Sequence, residues 1–309
     1  MMLSLFTRTK SFRDPWVGHR QLNTRLHLHR RRIQLAEHLC QWRQRLRPAA
    51  SEGLPKGVLD QLERDGCCAI EEFLPNGDFA RLSEDVERLV TCKTREQPWS
   101  TNQNEGFQPK QPFRGGFDRF DGGTLNRFLH IDPCTMPRLA ELSRDPRLQE
   151  LSRQVVGVRM DPRKLDVYLT VHGEENCTPD LQKVLHRDTY FRALKFWYFL
   201  RPVEEKDGPF EYVLGSHRIS RLRLRWEQQT ATAAITHQQE PDVSGSFRIQ
   251  EQHLAALDLP RPVRFTCPAN TLILADVFGF HRRGDAQPGR ERLAIYGWNR
   301  PYPFLPLTW

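Results

Sequence analysis

His186-Arg187-Asp188 is the triplet in this chain best suited to chemistry. Side chains at i and i+2 of a strand point to the same side, so an imidazole and a carboxylate at that spacing can grip one ion. A second such pair, His130-Ile131-Asp132, stands in a different setting. Asp132 directly precedes Pro133 and a helical pattern, the place of a turn or helix cap, so a structural role is expected for it. His186 and Asp188 instead close the apolar stretch KVL and precede the aromatic run FRALKFWYFL, as residues at the rim of a sheet would. His281 follows the strand pattern LILADVFGF, 93 residues beyond Asp188, ample chain to return to the same end of a barrel. Two histidines and one carboxylate on one face leave other metal positions open. That donor set suits non-haem Fe(II) oxygenases, whose open positions take a chelating 2-oxo acid and O2. An anionic co-substrate needs a cation. Arg292, eleven residues after His281 on RLAIYGW, offers a fork that binds a carboxylate through two parallel hydrogen bonds. Arg290 competes for this role if the strand register differs. A cupin-like Zn or Mn site would want a further histidine beside His186, and none is there.

Elements must bring these groups together. From Leu165 onward the sequence reads as short strands: LDVYLTVH, KVLHR, ALKFWYFLRPV, FEYVL, VRFTC, NTLILADVF and RLAIYGW, rich in β-branched and aromatic residues and parted by Gly, Pro, Asn and Asp. Such a series predicts a sandwich or barrel. Helices are predicted over residues 55–65, 75–93 and 134–155, the last broken at Asp145-Pro146. An insertion over residues 218–258 starts helical and Arg-rich; its Arg218, Arg221, Arg223 and Arg225 read as a solvated face of a lid helix or, alternatively, as a cationic lip for a phosphate, carboxylate or carrier-protein partner. Residues 20–47 read as one basic amphipathic helix, with Leu22, Leu26, Ile33, Leu39, Trp42 and Leu46 near one face and Arg and His on the other. Pro48 ends it, and a linker follows. The expected organisation is a basic helical N-terminal extension and linker over 1–52 and a main domain over 53–309.

The formal net charge of +8 sits in that extension. Residues 1–50 carry eleven Lys and Arg against two acidic residues, so the remaining 259 residues are close to neutral. The high pI is therefore poor evidence for nucleic-acid binding by the main domain, and no nucleic-acid partner is expected. Residues 20–47 could instead make peripheral contact with an anionic membrane or an acidic partner. No apolar run is long enough for a membrane span, and seven cysteines without a Cys-x-x-Cys pair read as reduced thiols. A cytoplasmic location, with peripheral membrane contact as its variant, is expected.

The order His186-x-Asp188, Trp197, Asp207-Gly208-Pro209 through Gly215-Ser216-His217, His281 and Arg292, together with RDGCCAIEEFLP near residue 64, resembles the phytanoyl-CoA dioxygenase family of Fe(II)/2-oxoglutarate oxygenases. The resemblance covers roughly residues 55–300. It implies a double-stranded β-helix, a jelly roll with helices packed outside. It implies His186, Asp188 and His281 as iron ligands and Arg292 as the holder of the distal carboxylate of 2-oxoglutarate. Trp197 matches a position that lines the co-substrate, and Tyr168 and Thr170 are further expected contacts. Gly215 is expected at a tight turn. Two residues depart from the pattern: Leu214 stands where Pro is usual, and Arg283 where a small hydroxyl residue is frequent, either to bind an acidic substrate group or to face solvent. Because Asp188 is a carboxylate, the halogenase variant is not implied. The resulting expectation is a dioxygenase that hydroxylates an unactivated C–H of a small, anionic or lipid-linked substrate and releases succinate and CO2. The alternative, a catalytically silent jelly-roll binding module, would be marked by a broken triad.

Overall fold

Along Leu165–His172 the residues divide by parity. Leu165, Val167, Leu169 and Val171 enter one apolar core, while Asp166 and Tyr168 border a cavity on the opposite face. This strand is central to the fold, and its neighbours repeat the division. The computed structural model describes residues 6–99, 108–174 and 179–305. Strands β1 (Cys67–Ile70), β2 (Gln108–Phe113), β3 (Gly116–Asp121), β4 (Thr124–His130), β5 (Leu165–His172), β6 (Leu194–Phe199), β9 (Thr271–Asp276) and β11 (Glu291–Asn299) form one antiparallel sheet in the order β1-β9-β6-β11-β5-β4-β3-β2. Strands β7 (Phe210–Tyr212), β8 (Val263–Phe265) and β10 (His281–Arg283) form a second, in the order β10-β7-β8. This is the expected jelly roll, mainly β with flanking helices.

Helices cover the outer face of the large sheet. Val58 and Leu62 of α3 (Val58–Asp65), Val86 and Val90 of α4 (Asn76–Glu96), and Leu139 of α5 (Pro137–Leu142) bury themselves against it. Leu151 of α6 (Pro146–Val156) joins the same core. The break at Asp145-Pro146 falls as expected: Asp145 caps α6 by accepting from the Arg147 amide, and Pro146 opens the helix. Asp132 also behaves as expected, its carboxylate accepting from the Cys134 amide and the Thr135 hydroxyl in a turn.

Three expectations change. The N-terminal helix is two, α1 (Arg20–Thr24) and α2 (Leu28–Leu46), parted at Arg25-Leu26-His27. Its buried stripe matches the apolar one foreseen only in part: Ile33 is buried and Leu22, Leu26 and Leu39 are half-buried. Trp42 and Leu46 are exposed, while His29, Arg32 and Arg43 are buried. Each buried polar head has found a partner: Arg32 donates to the carbonyls of Thr7 and Thr9, Arg43 to that of Leu305, and His29 pairs with Glu227. The segment before α1 adds Phe12 and Val17 to a core shared with Ala231, Ala234 and Phe247 of the insertion. Second, residues 183–187 form no regular strand, only isolated bridges from His186 to Arg248 and to His281. Third, β2, β3 and β4 had no counterpart in the sequence reading; they extend the large sheet around the cavity. No helix among the described residues is long and apolar enough to cross a membrane. Cys40, Cys67, Cys68, Cys92, Cys134 and Cys267 are free thiols, as expected, and Cys177 lies outside the described residues.

Candidate metal centre and co-substrate cavity

The bridge between His186 and His281 builds the site. Each backbone amide donates to the other residue's carbonyl, at 3.0 and 2.9 Å, so the two side chains stand side by side with ring centroids 4.6 Å apart. Both imidazoles are fixed from behind. The Val184 carbonyl accepts from Nδ1 of His186 at 2.7 Å, and the Gly279 carbonyl accepts from Nδ1 of His281 at 3.0 Å. A ring that donates through Nδ1 presents a lone pair on Nε2. Asp188, two residues on, puts Oδ1 3.7 Å from Nε2 of His186 and 3.9 Å from Nε2 of His281. One ligand atom from each of the three lies within 4.8 Å of the others, and all three residues are buried. Gly279 is required here, because a Cβ would overlap the Tyr212 hydroxyl and crowd Ser216.

Burial and charge set the protonation of these groups. Burial pushes the His186 imidazole down to about 3 and that of His281 to about 4, so both are neutral donors to a metal at neutral pH. Burial alone would raise the Asp188 carboxyl. Lys195 at 2.6 Å and Arg300 at 2.9 Å, both on Oδ2, outweigh it and hold the group well below the usual carboxylate range. The Asp188 carbonyl accepts from Lys10, at 2.7 Å, and the Arg300 carbonyl from Arg8. Between the two potential ligands, Arg187 turns away and is fully buried. It makes a double hydrogen bond with Glu227, at 2.8 and 2.6 Å, on helix α7 (Arg221–His237), and donates to the Gly245 carbonyl. Lys10, Lys195, Arg300 and the Arg187–Glu227 pair escaped the sequence reading. No local pattern sets such a lysine or arginine apart from a surface one.

A cavity of about 510 Å3 opens onto the metal centre. Trp197, Tyr168 and Arg292 line it. Arg292 is the arginine of the expected pair that reaches it; Arg290 lies outside β11 and pairs with Asp207 and Glu204. Burial, and then the neighbouring charge of Arg283, press the Arg292 guanidinium down to about 10. No carboxylate among the described residues pairs with it, and its Nε is buried without a hydrogen bond. Thr170 sits opposite Arg292 in register, buried and short of the cavity wall. Arg283 neither faces solvent nor is free for a substrate. It is buried, paired with Asp180 at 2.6 Å, and donates to Asn126 and the Tyr168 hydroxyl. Of Arg218, Arg221, Arg223 and Arg225 none lines the cavity, so the alternative of a cationic lip is not formed. Arg223, buried against Glu227 and the Ser216 and Phe278 carbonyls, holds the insertion from within, while Arg218, Arg221 and Arg225 are exposed on its surface, as on a solvated helix.

A sequence profile described as phytanoyl-CoA dioxygenase (PhyH) matches residues 62–252, more than half of the chain. The chain belongs to the phytanoyl-CoA dioxygenase family. It is an Fe(II)- and 2-oxoglutarate-dependent oxygenase that uses O2 and acts on a small molecule. The matched region of this phytanoyl-CoA dioxygenase family member stops short of His281 and Arg292; it is the fold that returns them to His186. No curated protein matches the chain significantly in sequence. Among solved structures, the epimerase SnoN in complex with Fe3+, alpha ketoglutarate and nogalamycin RO is 18% identical, with 79% of this chain and 85% of that one covered and a TM-score of 0.47. HygX from Streptomyces hygroscopicus with nickel and 2-oxoglutarate is 18% identical over 80% and 87%, with a TM-score of 0.45. EctD from S. alaskensis with bound Fe is 16% identical over 81% and 83%, with a TM-score of 0.42.

The residues present fit the family's cofactors. Nε2 of His281 is buried without a hydrogen-bond partner, a cost that a metal would remove. Two imidazole nitrogens and one carboxylate oxygen are the donor set for iron with open positions. The buried, unpaired Arg292 is matched in charge and shape to a carboxylate.

Proposed function

We propose that His186, Asp188 and His281 hold Fe(II), that Arg292 holds the distal carboxylate of 2-oxoglutarate, and that the enzyme hydroxylates an unactivated C–H of a small substrate. The convergence of the three ligand atoms, with Nε2 of His281 lacking any other partner, carries this reading. Bound iron and 2-oxoglutarate, with O2, supply an oxidant strong enough for an unactivated C–H and release succinate and CO2.

The chain supplies position and exclusion of water. The Val184 and Gly279 carbonyls keep both imidazoles turned toward one point. Asp188 offers Oδ1 to the metal while Lys195 and Arg300 hold Oδ2. Trp197, packed on Phe210 with ring centroids 4.7 Å apart, walls the co-substrate. Tyr168 is steadied by Asn126 and Arg283, and Thr170 packs beside Arg292. Residues 20–47 serve as a packed strut, since their buried basic groups are committed to internal partners.

Anaerobic addition of Fe(II) and then 2-oxoglutarate to metal-free protein should produce the weak visible charge-transfer band of a chelated 2-oxo acid. Asp188→Ala should abolish it. Arg292→Ala should keep iron binding and weaken 2-oxoglutarate at least tenfold. A folded wild-type protein that gives no band would overturn the reading.

A further inference from the structure

The cavity has a floor of rings that the metal chemistry itself does not require. Phe117 on β3 stacks on Phe128 on β4, with centroids 4.7 Å apart and planes 17° apart. Phe128 stacks on Tyr168 of β5 at 4.5 Å and 9°. Tyr296 of β11 follows at 5.6 Å, and Trp197 of β6 at 6.0 Å from Tyr296. All five line the same cavity. Consecutive members belong to hydrogen-bonded neighbouring strands, so the row runs across the sheet. Strands lie about 4.8 Å apart, so from Phe117 to Tyr296 it extends roughly 14 Å. Phe117, Phe128 and Tyr168 cover one another's faces and so turn edges to the cavity, on which the face of a flat ring can rest in edge-to-face contact.

The charge of the cavity is one-sided. Arg119, Arg282 and Arg283 are balanced by Asp121, Glu211 and Asp180. Asp166 takes His130. Fe(II) and 2-oxoglutarate would cancel one another in charge, so Arg292, occupied by the distal carboxylate, would add one positive charge to the sum. Lys195 and Arg300 then share the single carboxylate Asp188. At the opposite end of the row Lys110 stands 4.1 Å from the centroid of Phe117, exposed and with no ion-pair partner among the described residues. The loaded cavity is therefore still positive at both ends, and Lys110, at the β3 end away from the metal, is the lining lysine with no carboxylate partner among the described residues.

We propose that the substrate is an anion carried on a flat ring system, which lies along Phe117, Phe128, Tyr168 and Tyr296 with its anionic group at Lys110 and the carbon to be oxidised toward His186, Asp188 and His281. This rests on the oxygenase reading above and names the substrate class for it.

The test is calorimetric titration of the full chain, loaded anaerobically with Fe(II) and 2-oxoglutarate, with three probes: naphthalene-2-sulfonate, its neutral sulfonamide, and hexane-1-sulfonate. The flat anion should bind at least tenfold more tightly than either of the others, and added salt should erode its advantage over the sulfonamide. Lys110→Gln should cut that advantage at least threefold and leave sulfonamide affinity unchanged. Phe117→Leu should weaken the naphthalene probes and spare hexane-1-sulfonate. Equal affinity for sulfonate and sulfonamide would overturn the anionic part, and equal affinity for the flat and aliphatic sulfonates the ring part. An anion preference intact in Lys110→Gln would overturn the placement. The charge-transfer band, recorded on each sample, separates the two levels. Its presence with indifferent probes defeats only the substrate inference; its absence defeats the oxygenase reading and this inference with it.

Discussion

At Asp188 the two carboxylate oxygens have separate tasks: Oδ1 faces the imidazoles, and Oδ2 takes Lys195 and Arg300. Partners of this kind orient a ligand, and their loss commonly costs 10- to 100-fold in metal affinity. Lys195→Met should therefore weaken Fe(II) binding by about that factor while the protein stays folded, as read by equilibrium metal titration with circular dichroism as control. An unchanged affinity would mean that Arg300 alone suffices. The sequence singled out His186, Asp188, His281 and Arg292 by the setting of one His-x-Asp pair and by their order along the chain, although His186 lies on isolated bridges and not on a regular strand. It concealed Lys195, Arg300 and Lys10, because their burial depends on a carboxylate or carbonyl far away in sequence. Arg283 misled for the same reason: its partner Asp180 is 103 residues distant.

At the scale of elements, helix α7 braces the segment that carries His186 and Asp188. Glu227 is fully buried and takes Arg187, Arg223 and His29 together. Removing one partner of such a buried cluster leaves uncompensated charge, at a cost of about 3–5 kcal/mol. Glu227→Gln should lower the melting temperature by roughly 10 °C, at about 2–4 °C per kcal/mol for a chain of this size. It should also weaken metal binding, because Arg187 lies between two ligands. A variant as stable as wild type would show that the cluster is dispensable. Periodicity revealed helices α3 to α6 and strands β5, β6, β9 and β11 because their buried faces are apolar, and it reached β7, β8 and the Arg-rich start of α7, but β10, His281-Arg282-Arg283, had no counterpart. It misplaced part of the face of α2, whose buried His29, Arg32 and Arg43 read as polar. It missed β3 and β4, where Arg127 is buried in a pair with Asp118 under Trp99 and breaks the expected alternation.

Over the whole molecule, five histidines are buried in neutral form. Burial lowers His29 and His281 to about 4, His186 and His217 to about 3, and His172 to about 2. In the unfolded chain each would titrate near 6.5. Below that pH the unfolded state takes up protons that the folded state refuses, so stability falls as pH drops from about 6.5 toward 4, by up to ~1.4 kcal/mol per pH unit for each histidine. Asp276, raised by burial to about 6, works in the opposite direction below that pH and offsets only part of the loss. The metal-free protein should lose its melting temperature steadily through this window; a flat profile from pH 7 to 4 would refute the assignment of these histidines as neutral.

The contacts of Asp188 with Lys10 and Arg300, and of Arg8 with the Arg300 carbonyl, tie both flanks of the chain to one ligand. During synthesis His186 and Asp188 are made more than a hundred residues before Arg300, and His281 nineteen residues before it. Until residue 300 has left the ribosome, Asp188 lacks one of the two cations on its Oδ2. Copper and zinc outrank iron for such donors. On the proposed reading, discrimination against those ions rests on geometry and supply, and Arg300 adds its part to that geometry only once the last segment has docked.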